Sequence, residues 1–237
     1  MKKVIIISTS LRKNSNSDIL AKEFEKGAKT AGNEVEYISL AGKRISFCVG
    51  CLACQKTQKC VIADDAVQIA DQVKKADVLV FATPIYYYEM CGQMKTLLDR
   101  LNPLYPSDYA FRDVYLLTTA AEEEESAMDG AVKGMQGWID CFPKSRLAGV
   151  VRGVGINNAR EAEKHTELLK HVMSSANRFN IGRCFILITV SVLLLMLCSC
   201  TVHDNKEQSS KSSETEKSES SVIIQRKKRI CQRCNYL

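Results

Sequence analysis

The segment CVGCLACQKTQKC, residues 48–60, places Cys48, Cys51, Cys54 and Cys60 at C-x2-C-x2-C-x5-C spacing. Two-residue gaps let successive thiolates turn back on one centre, which is how the loops around cubane [4Fe-4S] clusters begin. Zinc is the weaker metal reading, because zinc sites usually take two ligand pairs separated by a longer span. A third reading needs no metal: these are reactive thiols on a loop, or small apolar side chains that pack.

Two further segments carry donors. STSLRKNSNSD, residues 8–18, is dense in hydroxyls and Asn and contains Arg12; it runs straight into an amphipathic pattern. A polar loop at a helix N-terminus offers backbone N–H groups, side-chain donors and a favourable dipole to a phosphate. The G-x4-G-K-[ST] arrangement is missing, which disfavours nucleotide triphosphate hydrolysis. ATPIYYYEMCGQMK, residues 82–95, follows an apolar run, and Tyr86, Tyr87 and Tyr88 supply flat surfaces on which a planar ring could stack. Taken alone, three tyrosines are more often packing than a cofactor box.

The elements that would position these segments follow from periodicity. VIII (4–7), VLVFA (78–82) and VYLLT (114–118) are continuous apolar runs rich in β-branched residues, as expected of strands buried on both faces. Residues 34–40 predict a strand nearer an edge, and residues 147–156 the last strand. Helices are predicted between them. Ile19, Leu20, Phe24 and Ala28 share a face that Ser17 can cap. Met94, Leu97, Leu98 and Leu101 form another stripe, stopped by Asn102-Pro103. Residues 64–75, 127–142 and 159–179 complete five helices. Strict alternation predicts an α/β fold, a doubly wound five-stranded parallel sheet in the order 2-1-3-4-5, with its ligand at the carboxyl ends of the first and third strands.

The joint occurrence of STSLRKNSNS, TPIYYYEMCGQMKTLLDR and the cysteine loop between them resembles the NAD(P)H-dependent FMN reductases of the flavodoxin-like superfamily, especially their iron-sulfur flavoprotein branch. The resemblance covers residues 1–181. It implies that Ser10, Arg12, Asn14, Ser15, Asn16 and Ser17 cradle the FMN phosphate. Thr83, Pro84, Ile85, Tyr86 and Tyr87 would hold the isoalloxazine, with Thr118, Thr119, Ala120 and Ala121 completing the pocket. It also implies NAD(P)H as co-substrate, a [4Fe-4S] cluster on Cys48, Cys51, Cys54 and Cys60, a small-molecule or protein electron acceptor, and a homodimer or homotetramer. Without the cluster, the runner-up is a simpler two-electron reductase of quinones or free flavin; the non-enzymatic alternative is a flavodoxin-like electron carrier that does not oxidise NAD(P)H directly. His165, His171 and His203 lie outside the expected pocket and receive no catalytic role; Cys91 and Cys141 are expected to be buried thiols.

Charge and composition bound the rest. A net charge of +6 is mild, and the basic residues are spread along the chain, so no nucleic-acid footprint is present. With 46% hydrophobic residues the chain can bury a real core. The apolar start at residues 4–7 is too short for a secretory leader, so the flavin domain is expected in the cytoplasm, where thiols stay reduced. At about residue 182 the character changes. Residues 184–202 carry no charge and are long enough to span a bilayer as a helix, with Arg178 and Arg183 before them. This stretch reads as a membrane anchor, as an extra core helix, or, by its resemblance to a lipoprotein signal ending at Cys200, as a second reading frame joined to the first. Residues 203–237 form a polar, basic tail with a disordered composition and a lone Cys231-x2-Cys234 pair.

Overall fold

The computed structural model describes residues 1–177. Its strands are β1 (Lys3–Ser8), β2 (Glu34–Ser39), β3 (Val78–Tyr86), β4 (Glu89–Met90), β5 (Asp113–Thr119) and β6 (Arg146–Gly153). The main path is β2-β1-β3-β5-β6, all parallel, and β4 pairs antiparallel with β3. Setting β4 aside, this is the predicted 2-1-3-4-5 order. The interior strands are the three continuous apolar runs, and Val4, Ile5, Ile6, Ile7, Leu79 and Phe81 are wholly buried. Strands covered on both faces have no polar side to present, so their sequences cannot alternate.

Helices α1 (Asn16–Thr30), α2 (Ala53–Thr57), α3 (Asp65–Lys74), α4 (Gly92–Arg100), α5 (Asp129–Asp140) and α6 (Thr166–Asn177) connect and flank the strands. One core gathers Ile5, Ile7, Leu79, Phe81 and Leu116 with Ile69 of α3, Leu97 of α4 and Ile139 of α5. On the other face Phe24 of α1 meets Tyr115 of β5 with ring centroids 5.3 Å apart. Each such side chain taken out of water contributes about 1.5–3 kcal/mol. The backbones of α1 and α6 approach closely at Gly27, where a Cβ would stand 2.8 Å from the Met173 carbonyl oxygen.

The boundaries differ from expectation where tertiary contacts override local pattern. Ser15 rather than Ser17 caps α1, its side chain accepting from the Asp18 N–H, so Ser17 is buried inside the first turn. The third strand does not stop at Ala82; it runs on to Tyr86 and folds back through β4, a sixth strand that the five-stranded expectation lacked. The five-residue helix α2 inside the cysteine loop was likewise not anticipated. The helix expected over 127–142 opens as a 3-10 turn, Glu125–Met128, before α5, and that over 159–179 divides into a 3-10 turn, Glu161–Lys164, and α6. Among the described residues no helix is long and apolar enough to cross a membrane. The proposed boundary at residue 181, the apolar run 184–202 and the tail 203–237 lie outside the described residues.

Candidate functional site

The strand order reverses between β1 and β3, since the chain leaves β1 for one neighbour and later returns on its other side. Loops leaving the carboxyl ends of these strands diverge and open a crevice. On one side lies the loop from β1 to α1. Thr9, Ser10, Ser15, Asn16 and Ser17 are all buried, an uncommon state for hydroxyl and amide side chains, which must find partners out of water. Ser10 Oγ accepts from the Arg12 N–H at 3.2 Å, and Ser15 Oγ from the Asp18 N–H at 3.1 Å. Asn14 takes a left-handed backbone at φ 55°. The first N–H groups of α1 lack intrahelical acceptors by the geometry of any helix and point out of its N-terminus.

A second segment braces this loop. The Asn16 amide donates to the Asn158 carbonyl at 2.8 Å and accepts from the Ala162 N–H at 3.0 Å. Arg12 Nη1 donates to the Asn157 carbonyl at 2.9 Å. The Glu161 carboxylate in turn accepts from the N–H groups of Asn158 and Asn157, which hold its pKa below the usual carboxylate range. Asn16 therefore serves the shape of the cradle through its side chain. The sequence assigns residues 159–179 to a helix and gives residues 157–162 no part in the site; the local signal there is Asn157-Asn158 just after the last strand.

Across the crevice stands the β3–β4 hairpin. Ile85 pairs with Met90 and Tyr86 with Glu89, leaving Tyr87 and Tyr88 as a two-residue loop with φ of 51° and 65°. Two successive left-handed residues define the type I′ turn, which normally takes Asn-Gly. Tyr86, Tyr87 and Tyr88 are all exposed. The hairpin can lie against α5 because residue 130 is glycine: a Cβ there would stand 2.5 Å from the Tyr88 carbonyl oxygen. A cavity of about 170 Å³ lined by Ile85, Tyr87, Tyr88, Ala120, Ala121, Glu122 and Ala127 brings the second and third predicted segments together. Thr118 is buried and spends its hydroxyl on the Val151 carbonyl at 2.9 Å, and Thr119 and Ala120 are buried beside it. A larger cavity of about 570 Å³ between α4 and α5 touches this hairpin only at Glu89 and Met90, and Gly92, Lys95, Leu98, Asp99, Gly134 and Trp138 complete its lining.

Thr9, Thr83 and Cys91 tie the two sides together. Thr83 Oγ1 accepts from the Cys91 N–H at 3.1 Å, and Cys91 Sγ lies 3.2 Å from Thr9 Oγ1. Cys91 is buried as expected, whereas Cys141 is only partly so.

The cysteine loop lies beyond β2. Cys54 is buried, Cys60 partly buried, and Cys48 and Cys51 exposed. Burial and the neighbouring thiols Cys60, Cys48 and Cys51 push the Cys54 pKa up, so all four sulfurs share one electrostatic neighbourhood. Asn102 Nδ2 donates to Cys54 Sγ at 3.4 Å. Among the described residues no three His, Cys, Asp or Glu side chains are drawn together tightly enough to hold a metal ion. Four thiols on one short loop are the donor chemistry that a thiolate-ligated cluster would take.

The chain matches the family described as NADPH-dependent FMN reductase over residues 2–187. It belongs to that family. The chain is similar to two proteins named iron-sulfur flavoprotein. One from Methanocaldococcus jannaschii is 39% identical over 102 residues, 43% of this chain and 53% of that protein. One from Archaeoglobus fulgidus is 34% identical over 101 residues, 43% of this chain and 46% of that protein. The matched region thus spans about half the length of these curated relatives. An azoreductase structure from Bacillus anthracis superposes with a TM-score of 0.59 at 19% identity, covering 75% of this chain and all of that one. At that identity the likeness shows the fold alone, the doubly wound parallel sheet described above.

Proposed function

We propose that this chain is an FMN-dependent oxidoreductase that takes reducing equivalents from NAD(P)H and passes them through a [4Fe-4S] cluster on Cys48, Cys51, Cys54 and Cys60 to a small-molecule or protein acceptor. The observation that carries the reading is the run of buried hydroxyls at the N-terminus of α1, set across the β1/β3 crevice from the tyrosine hairpin. Polar side chains are kept out of water there at a cost that an anionic ligand would offset.

The division of labour follows from placement. Ser10, Ser15, Ser17 and the first N–H groups of α1 would bind a terminal phosphate, with Arg12 supplying positive charge at the solvent edge. Asn14, in its left-handed conformation, turns the loop into the helix, and Asn16 holds the loop to residues 157–162. Thr83, Pro84, Ile85, Tyr86 and Tyr87 would orient the ring, with Thr118, Thr119, Ala120 and Ala121 as the opposite wall. FMN bound in this way supplies hydride acceptance from a nicotinamide and electron release singly or in pairs, and the cysteine-held cluster would supply one-electron transfer. The protein's residues are required to bind, orient and shield; no proton-transfer group is needed. His171 lies on α6 and His165 just before it.

A second copy of the chain is expected to cover the exposed apolar residues Phe47, Val49 and Tyr87 and to complete the flavin pocket. A reducing, cytoplasmic setting suits four thiols kept apart from disulfides. Anaerobic mixing of the purified yellow protein with NADPH tests the proposal: bleaching of the flavin absorbance within seconds supports it. A flavin that stays oxidised with both NADPH and NADH, yet is reduced by dithionite, would favour the passive carrier.

A further inference from the structure

Arg100 is the last residue of α4 and its side chain is completely buried. Nη1 donates to the Ser46 carbonyl at 2.8 Å and to Asp64 Oδ2 at 2.7 Å. Nη2 donates to the Ile62 carbonyl at 3.1 Å and to Asp64 Oδ1 at 2.8 Å. Asp64 also accepts from the Ser46 N–H at 2.8 Å. Ser46 and Ile62 bracket residues 47–61, the segment that holds all four cysteines of the loop. One guanidinium and one carboxylate therefore close the base of that loop. The remaining donor, Arg100 Nε, is buried without a hydrogen-bond partner; Asp64 first, and then Cys60, hold the pKa of the guanidinium up.

A buried ion pair is a poor way to gain stability, because desolvating both charges offsets most of their attraction. What this pair does provide is geometry. A planar fork reaches two carbonyls and both oxygens of a carboxylate at once, which an ammonium cannot do. We propose that Arg100 is a positioning residue for the thiolates of the cysteine loop: with Asp64 it fixes both ends of residues 46–62 and holds its Nε–H for the sulfur of Cys60. The proposal rests on the cluster reading for its ligand, and on the fold alone for the closure.

The test compares wild type, R100K, R100Q and D64N, each purified anaerobically and reconstituted with ferrous iron and sulfide. Three quantities are read: iron and acid-labile sulfide per bound FMN, amide hydrogen exchange in residues 47–61, and the reduction potential of whatever cluster is retained. Bound FMN reports that each variant has folded. Outer-shell partners typically contribute 10–100-fold to metal affinity, so R100Q and D64N are expected to bind iron about tenfold or more weakly with FMN unchanged. Loop amides in both should exchange faster. Any cluster left in R100Q should have a more negative potential, since a donor to sulfur is gone, and R100K should recover charge without recovering closure. Unchanged iron content, exchange and potential in flavin-replete R100Q would overturn the proposal. If R100Q does not fold, R100K and D64N decide it by the same comparison. A wild type that takes up no iron counts against the cluster reading, and exchange then decides the closure alone: faster loop exchange in the variants supports it, equal exchange overturns it.

Discussion

At the scale of single residues, the site divides between side chains that would face a ligand and side chains that are already spent. Arg12 is exposed, and its contact is with a backbone carbonyl, so its charge remains available to an anion. Arg12→Ala is expected to weaken FMN binding by about 10- to 150-fold, in line with about 1.5–3 kcal/mol for a hydrogen bond to a charged group, with little change in melting temperature; fluorescence titration of the apoprotein checks this. Asn16→Ala should behave in the opposite sense, because its amide closes two backbone contacts that would be left unmade. Stability should fall by about 1–3 kcal/mol in a denaturant melt of the flavin-free protein. Asp64 makes a pH prediction. Burial alone would raise its pKa, but the Arg100 fork and the Ser46 N–H outweigh that and hold it below the ordinary value. A carboxylate depressed in the folded state stabilises above its unfolded pKa, near 3.9, and that contribution disappears as pH falls through the lower folded value. Acid unfolding of wild type should therefore have a component below about pH 4 that is missing in D64N, measurable by far-UV circular dichroism.

At the scale of elements, the hairpin and the helix beneath it form a matched pair. Tyr87 and Tyr88 hold left-handed backbones that β-carbon residues adopt at a cost, and the glycine at position 130 lets α5 receive the turn they make. Gly130→Ala would drive a methyl group to within 2.5 Å of the Tyr88 carbonyl. The hairpin must shift, at a cost of about 1–3 kcal/mol typical of overpacking. The expected result is slower flavin reduction by NADPH in stopped flow, with the cradle at α1 still able to bind inorganic phosphate. These elements also mark the limit of what the sequence discloses. Strands β1, β3 and β5 were legible because burial on both faces leaves an uninterrupted apolar run. The helix α4 was legible from Met94, Leu97, Leu98 and Leu101, yet that same stripe hid Arg100, whose charge reads as solvent-facing until its position beneath the cysteine loop is known. The turn at Tyr87–Tyr88 was illegible because its residues are the wrong type for the conformation they adopt. Ser15 and Ser17 are chemically alike, so only the path of the chain could decide which of them caps α1.

At the scale of the whole molecule, every feature assigned to chemistry leaves the carboxyl edge of one sheet, or a loop anchored beside it. The first loop, the hairpin and residues 118–121 converge from β1, β3 and β5, and this convergence follows from topology: it was predictable once the strand order was. The brace from residues 157–162 was not predictable, because it depends on a contact between the last loop and the first, far apart in sequence. A chain ending at residue 181 is expected to bind FMN and melt at the same temperature as the 237-residue chain, since it keeps every described strand and helix and the described crevice. A colourless or unfolded truncated protein would place a required element beyond residue 181.

The Asn16 staple has a kinetic consequence. Its amide has already satisfied the backbone of residues 158 and 162, so the first loop is held in shape before anything enters it and an arriving phosphate has little chain to order. Capture of the cofactor by the emptied protein should proceed as a single fast phase proportional to concentration, without a slow rearrangement behind it, and differences in grip among variants should appear in how long the cofactor stays.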